Sequence, residues 1–236
     1  MPRATPTHRH VESEPRVRRG YFEFRYGQLH VHNAIPPGGG FEEGTPLLCL
    51  HGSPGSGRVF SGFLPLAGRD RSVYAPDLPG CGESDPLPRT PGVADYAAAI
   101  GDFLDNIRLR HVDVLGHGAG AVLAAELALS RPGQVRRLVM VSVPLGGDAA
   151  REAASRSAAA GLAGAVAQYP LRERLARLTQ GLLVVRPRDE WWDAASRVRE
   201  VHPAARVVEL PEQGADVFAS APGRVAEAVR EFLRPN

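Results

Sequence analysis

A mainly parallel, doubly wound α/β sheet with a short antiparallel start is the architecture this sequence predicts, and three observations carry it. Six short apolar runs recur along the chain, patterns of helical period separate most of them, and the segment before the first run alternates apolar and polar residues about a glycine. Continuous apolar runs suit strands buried on both faces, whereas alternation marks a strand with one face toward water. Strands separated by helices close into parallel units. With 236 residues and 43% apolar content, one domain over residues 20–236 has ample material for its core.

The elements follow in chain order. The first nineteen residues, "MPRATPTHRHVESEPRVRR", have no apolar periodicity and are expected to be a disordered basic tail. Nucleic acid is not expected as a partner, because no aromatic or helical basic face accompanies the tail. "YFEFRYGQLHVHNAI" reads as two antiparallel strands joined at Gly27. The buried runs are "TPLLCLHG", "RSVYAPDLPG", "HVDVLGHG", "VRRLVMVSVP", "GLLVVRPRD" and "ARVVELPE". Helical patterns occupy "VADYAAAIGDFLDNIR", "AVLAAELALSR", "EWWDAASRVREV" and "APGRVAEAVREFLR". Residues 147–180, "GDAAREAASRSAAAGLAGAVAQYPLRERLARLTQ", break the alternation. They contain no strand pattern and are expected to form a reduced helical lid over the carboxyl edge of the sheet, the alternative being a lengthened crossover helix.

Composition excludes several classes. The 28 basic residues, all Arg, nearly cancel 26 acidic ones, leaving a net charge of +2. No stretch is long and apolar enough to span a bilayer, and the N-terminus lacks the apolar core of a signal peptide, so a cytoplasmic protein without a membrane partner is expected. Cys49 and Cys81 have neither metal-ligand spacing nor a disulfide framework. No metal and no cofactor is expected, and a homodimer stays open.

Four motifs occur in fixed order: "LLCLHGSPGSG", "YAPDLPGCGESD", "VLGHGAG" and "LLVVRPRDEWWD". Together, over about Gly20 to Leu233, they resemble the α/β-hydrolase fold superfamily. That resemblance implies a nucleophile on the sharp turn after the strand "VDVLG", an acid after "LLVVRP" and a histidine after the last strand. His51 and Gly52 would lead the loop that binds a developing oxyanion, with the Ser53 and Ala119 amides as donors. Asp189 matches the acid, with Glu190 beside it. The nucleophile position, however, holds Gly118. The histidine position, in Gly214-Ala215-Asp216-Val217-Phe218 ahead of Pro222, holds Ala215. Two coordinated absences read as natural divergence, and they remove turnover by the usual covalent route.

Other residues near these turns carry alternatives. His117 precedes the empty nucleophile position and could act in the same cavity or simply be a hydrogen-bonded structural residue. Ser53, Ser56 and Ser142 lie near strand ends without an identifiable base. Cys81 shows nothing that would depress its pKa, and Asp77 reads as the cap of its turn. Trp191 and Trp192 could line an aromatic pocket or anchor their helix, and adjacent helical residues do not share a face.

Three functions fit this mixture of loss and retention. The favoured one is a cofactor-independent cyclase, lyase or isomerase acting on a hydrophobic small molecule of the kind met in natural-product biosynthesis. The others are an inactive pseudo-hydrolase that binds or interacts, and a hydrolase with an atypical nucleophile or an activated water.

Overall fold

The computed structural model describes residues 14–37, 39, 44–146 and 161–234. Residues 1–13 of the expected tail and residues 147–160 of the expected lid lie outside them. Eight strands form one sheet: β1 (Arg16–Phe24), β2 (Gly27–Ile35), β3 (Leu47–Leu50), β4 (Val73–Pro76), β5 (Val112–His117), β6 (Val135–Val141), β7 (Gly181–Pro187) and β8 (Arg206–Leu210). Their spatial order is β1-β2-β4-β3-β5-β6-β7-β8. The β1 and β2 strands pair antiparallel about Gly27, and β2 pairs antiparallel with β4. From β4 onward every pairing is parallel.

The apolar runs become central strands because their alternate residues enter two cores. On one face Leu48, Leu50, Val114, Met140 and Val184 pack beneath α2 (Val93–Asn106) and α3 (Ala119–Ser130). On the other, Leu47, Cys49, Leu115, Val139 and Val185 meet α1 (Leu64–Ala67) and the C-terminal helix (Pro222–Leu233). Burial on both faces explains why these strands read as unbroken hydrophobic runs.

The structure departs from the sequence reading at two places. The β1 strand begins at Arg16, inside the stretch read as tail. It is an edge strand with Arg16 to Arg19 exposed, so backbone pairing alone defines it and no apolar pattern announces it. "EWWDAASRVREV" is two short helices, Trp192–Ala195 and Val198–Val201, rather than one. The described part of the segment before β7 holds α4 (Leu162–Ala167) and α5 (Leu171–Leu175). Glu126 of α3 ties this segment down by accepting from the Tyr169 hydroxyl and from Arg174.

Candidate active site

The carboxyl ends of β3, β5, β6 and β7 and the turn after β8 surround one cavity of about 660 Å³. In open parallel sheets this edge is where ligands bind, because strand ends and helix N-termini converge there. The turn between β5 and α3 forms its floor. Gly118 has φ 55° and ψ −117°, a conformation that only glycine adopts without strain.

The three glycines of this turn have different reasons to be glycine. A Cβ at Gly116 would collide with the backbone of Gly120 and Ala121, and one at Gly120 with the Leu50 and His51 carbonyls. At Gly118 the nearest atom to a Cβ would be Gly52 Cα at 3.8 Å, an ordinary contact. The flanking glycines let α3 press against β3. The central one leaves open space where a side chain could stand.

Main-chain donors remain beside that space. The Ala119 N–H opens α3, where first-turn donors have no partner within the helix, and neither it nor the Ser53 N–H bonds a main-chain acceptor among the described residues. Both residues border the cavity, as do His51 and Gly52. His51 is fully buried and both its nitrogens are committed. Its Nε2 accepts from the Leu78 N–H at 2.9 Å, which leaves Nδ1 to donate to the Gly52 carbonyl at 2.6 Å. Burial pushes its pKa down, against the Gly52 hydrogen bond that pulls it up. His51 therefore shapes the donor loop and is not free to move a proton.

Asp189 and Ala215 also border the cavity. Asp189 Oδ1 accepts from the Trp191 N–H at 2.9 Å, while Oδ2 is buried without a partner among the described residues. The His117 ring packs edge-on against Phe218, with centroids 5.3 Å apart. Burial holds its pKa below the usual histidine range, with Asp189 acting to raise it and His51 to lower it further.

The tryptophans separate. Trp191 lines the cavity. Trp192 is not among the lining residues; its ring lies under the Arg186 guanidinium, 4.3 Å from centroid to Cζ. Adjacent positions at the start of a short helix point in different directions, so only one can reach the ligand space. Asp77 accepts from the Gly57 and Glu83 N–H groups at 2.7 and 3.0 Å and lies 3.0 Å from His30 Nδ1. His30, His32 and Asp77 form a buried group with ligand atoms within 4.8 Å of one another, a cluster the sequence reading did not assemble. Its hydrogen bonds serve the loop after β4.

Sequence reasoning passed over Tyr169, which lines the wall from the segment before β7, and named Ser142 without placing it in the cavity, which it borders from the end of β6. Arg172, Glu173, Glu190 and Arg197 give the cavity a charged rim.

These features define a class. A family model described as alpha/beta hydrolase fold matches residues 45–200, and the chain belongs to that family. Among curated relatives, the proline iminopeptidase of Heyndrickxia coagulans is 31% identical over 125 residues, covering 52% of this chain and 42% of the relative. The magnesium-chelatase 30 kDa subunit of Rhodobacter capsulatus is 34% identical over 104 residues, covering 44% of this chain and 36% of the relative. The chain thus spans about two-fifths of the length of these relatives. A solved hydrolase from Pseudomonas aeruginosa PA01 superposes with a TM-score of 0.76 at 22% identity, covering 92% of this chain and 98% of that one, a likeness of fold. No helix among the described residues is long and apolar enough to cross a membrane.

Proposed function

We propose that this protein is a cofactor-independent, non-hydrolytic enzyme of the α/β-hydrolase fold, a cyclase, lyase or isomerase acting on a hydrophobic small molecule. The observation that carries the reading is the open seat at Gly118, where a Cβ would meet nothing closer than 3.8 Å, beside the unengaged amides of Ser53 and Ala119. Such a site can hold a carbonyl oxygen as charge develops on it and has no hydroxyl at the elbow to attack the carbon. Pre-orientation in a shaped cavity can lower a barrier by several kcal/mol without a covalent intermediate. The described residues 161–175, with α4 and α5, close one side of the cavity, and Tyr169 and Trp191 supply part of its wall.

Two assays test this. p-Nitrophenyl butyrate is expected to turn over no faster than in buffer, and a strain lacking the gene is expected to accumulate a hydrophobic precursor that the intact strain converts. Ester turnover would restore the hydrolase reading.

A second reading, a binding protein on a retired scaffold, draws support from the relative named as a chelatase subunit and from the exposed Val17 and Tyr21 of edge strand β1, a surface suited to a second copy or another chain. An unchanged metabolite profile on gene deletion would favour it.

A further inference from the structure

Away from the cavity, three buried side chains bring metal-ligating atoms together. His30 and His32 are two residues apart on β2 and therefore share a face of the sheet. Asp77 directly follows β4, which pairs antiparallel with β2, and its N–H donates to the His30 carbonyl at 2.8 Å. One ligand atom from each of the three lies within 4.8 Å of the other two. All three residues are at most 6% exposed, and none lines the cavity.

The hydrogen bonds of this cluster leave part of its capacity unspent. A carboxylate offers about four lone pairs. Asp77 Oδ1 accepts from the Gly57 N–H at 2.7 Å, while Oδ2 accepts from the Glu83 N–H at 3.0 Å and lies 3.0 Å from His30 Nδ1. One lone pair of Oδ1 is thus unengaged among the described residues. Facing that oxygen, His32 Nε2 stands 4.0 Å away, beyond hydrogen-bond reach. Two ligands on one zinc ion, each bonded at about 2.1 Å, stand about 3.4 Å apart at the tetrahedral angle. The 3.0 and 4.0 Å separations bracket that value.

The surrounding chain holds these ligands as a metal site requires. Ligating carboxylates are themselves hydrogen-bonded, and the Gly57 and Glu83 amides fix Asp77. Glycines let both loops close on the ligand residues. A Cβ at Gly57 would come to 3.0 Å from His32 Cδ2, and one at Gly82 to 2.1 Å from Asp77 Oδ2.

We propose that His30 Nδ1, His32 Nε2 and the Asp77 carboxylate bind one divalent ion of the zinc, cobalt or nickel class, with water completing the tetrahedron. Two imidazoles and one carboxylate favour these ions over magnesium or calcium, which take oxygen ligands. Nearby charge selects in the same direction, because Arg19 and Arg58 act on His32 alongside Asp77, so coordination through nitrogen rather than net negative charge holds the ion. On loading, the His30 proton moves from Nδ1 to Nε2, the tautomer in which Nδ1 can coordinate. The ion braces the fold rather than reacting. Asp77 already bonds the loop after β3 at Gly57, and the next amide, Leu78 N–H, donates to His51 Nε2, so a loaded site stiffens the loop that carries Ser53.

The test is titration of the untagged full chain, stripped with EDTA and dialysed, with ZnSO4 in a calorimeter and with CoCl2 in a visible spectrometer. One zinc per chain is expected, with the visible absorption of tetrahedral cobalt and a raised Tm that MgCl2 does not give. His32→Gln is expected to weaken zinc binding at least about 100-fold. The N-terminal stretch holds another histidine pair of the same spacing, His8 and His10, and the double variant His8→Gln with His10→Gln is expected to bind as the parent does. Absence of stoichiometric zinc, binding unchanged in His32→Gln, or binding lost with His8 and His10 would overturn the proposal. If His32→Gln does not fold, anomalous diffraction at the zinc edge from soaked crystals of the parent decides. A peak among His30, His32 and Asp77 supports the site, and a peak only elsewhere, or none, overturns it.

Discussion

Gly116 and Gly120 on one side and Gly118 on the other occupy the same five-residue turn under opposite constraints. At the flanks any side chain would drive into the backbone of α3 or β3, whereas at the apex a Cβ has room. The flanking glycines are fixed by the packing of helix on strand. The central one is fixed by nothing in its surroundings except its positive φ. On the proposed reading the fold holds the frame that would present a side chain, and Gly118 leaves that position without one. Across the cavity, Asp189 keeps its Trp191 hydrogen bond, its second oxygen has no partner among the described residues, and Ala215 borders the same space.

The comparison is sharpened most by refilling the emptied positions. The double variant Gly118→Ser with Ala215→His is expected to hydrolyse p-nitrophenyl butyrate at least ~1000-fold faster than the parent, since removing such residues elsewhere costs that much or more. A double variant as inert as the parent would mean that the frame has drifted as well.

The next effect is on stability. Gly120→Ala is expected to cost about 3 kcal/mol or more in urea unfolding, because backbone must shift to admit the methyl group. Gly118→Ala is expected to cost only about 1–2 kcal/mol, the strain of the positive φ. Equal costs would erase the distinction between frame and apex.

Acid comes third. Burial keeps His51 and His117 below their usual range, so the native state binds fewer protons than the unfolded chain. Stability is then full above about pH 6.5 and falls as pH drops from there toward the folded values, by at most about 1.4 kcal/mol per pH unit for each histidine. Urea unfolding between pH 7 and 5 is expected to show this slope, and His51→Gln to make it shallower.

The smallest effect separates the tryptophans. Trp192→Ala is expected to remove about 1 kcal/mol of stability through its lost contact with Arg186 and to leave binding of 2-tetralone unchanged. Trp191→Ala is expected to weaken that binding.

The fold was legible because its signals are local. Each buried strand is an apolar run, most turns carry a glycine or proline, and Gly27 marks the hairpin. The start of β1 was not legible, since an exposed edge strand with four consecutive outward-facing residues has no hydrophobic pattern. At the site, the motifs picked out Gly118, Ala215, Asp189, Ser53 and Ala119, and the structure places all five around one cavity. Ser142 was visible as a serine at a strand end but without a partner. That it borders the same cavity as His117 follows from the parallel pairing of β5 with β6, which no local pattern encodes. Trp192 shows the converse limit, since sequence adjacency to Trp191 says nothing about which ring faces the ligand.

The central claim, that no serine of this protein acts as a covalent nucleophile although the oxyanion frame is kept, is tested most directly by intact-protein mass after incubation with a fluorophosphonate. The account predicts an unmodified mass for the parent and one adduct, mapped to position 118, for the double variant Gly118→Ser with Ala215→His. A stoichiometric adduct on any serine of the parent would contradict it.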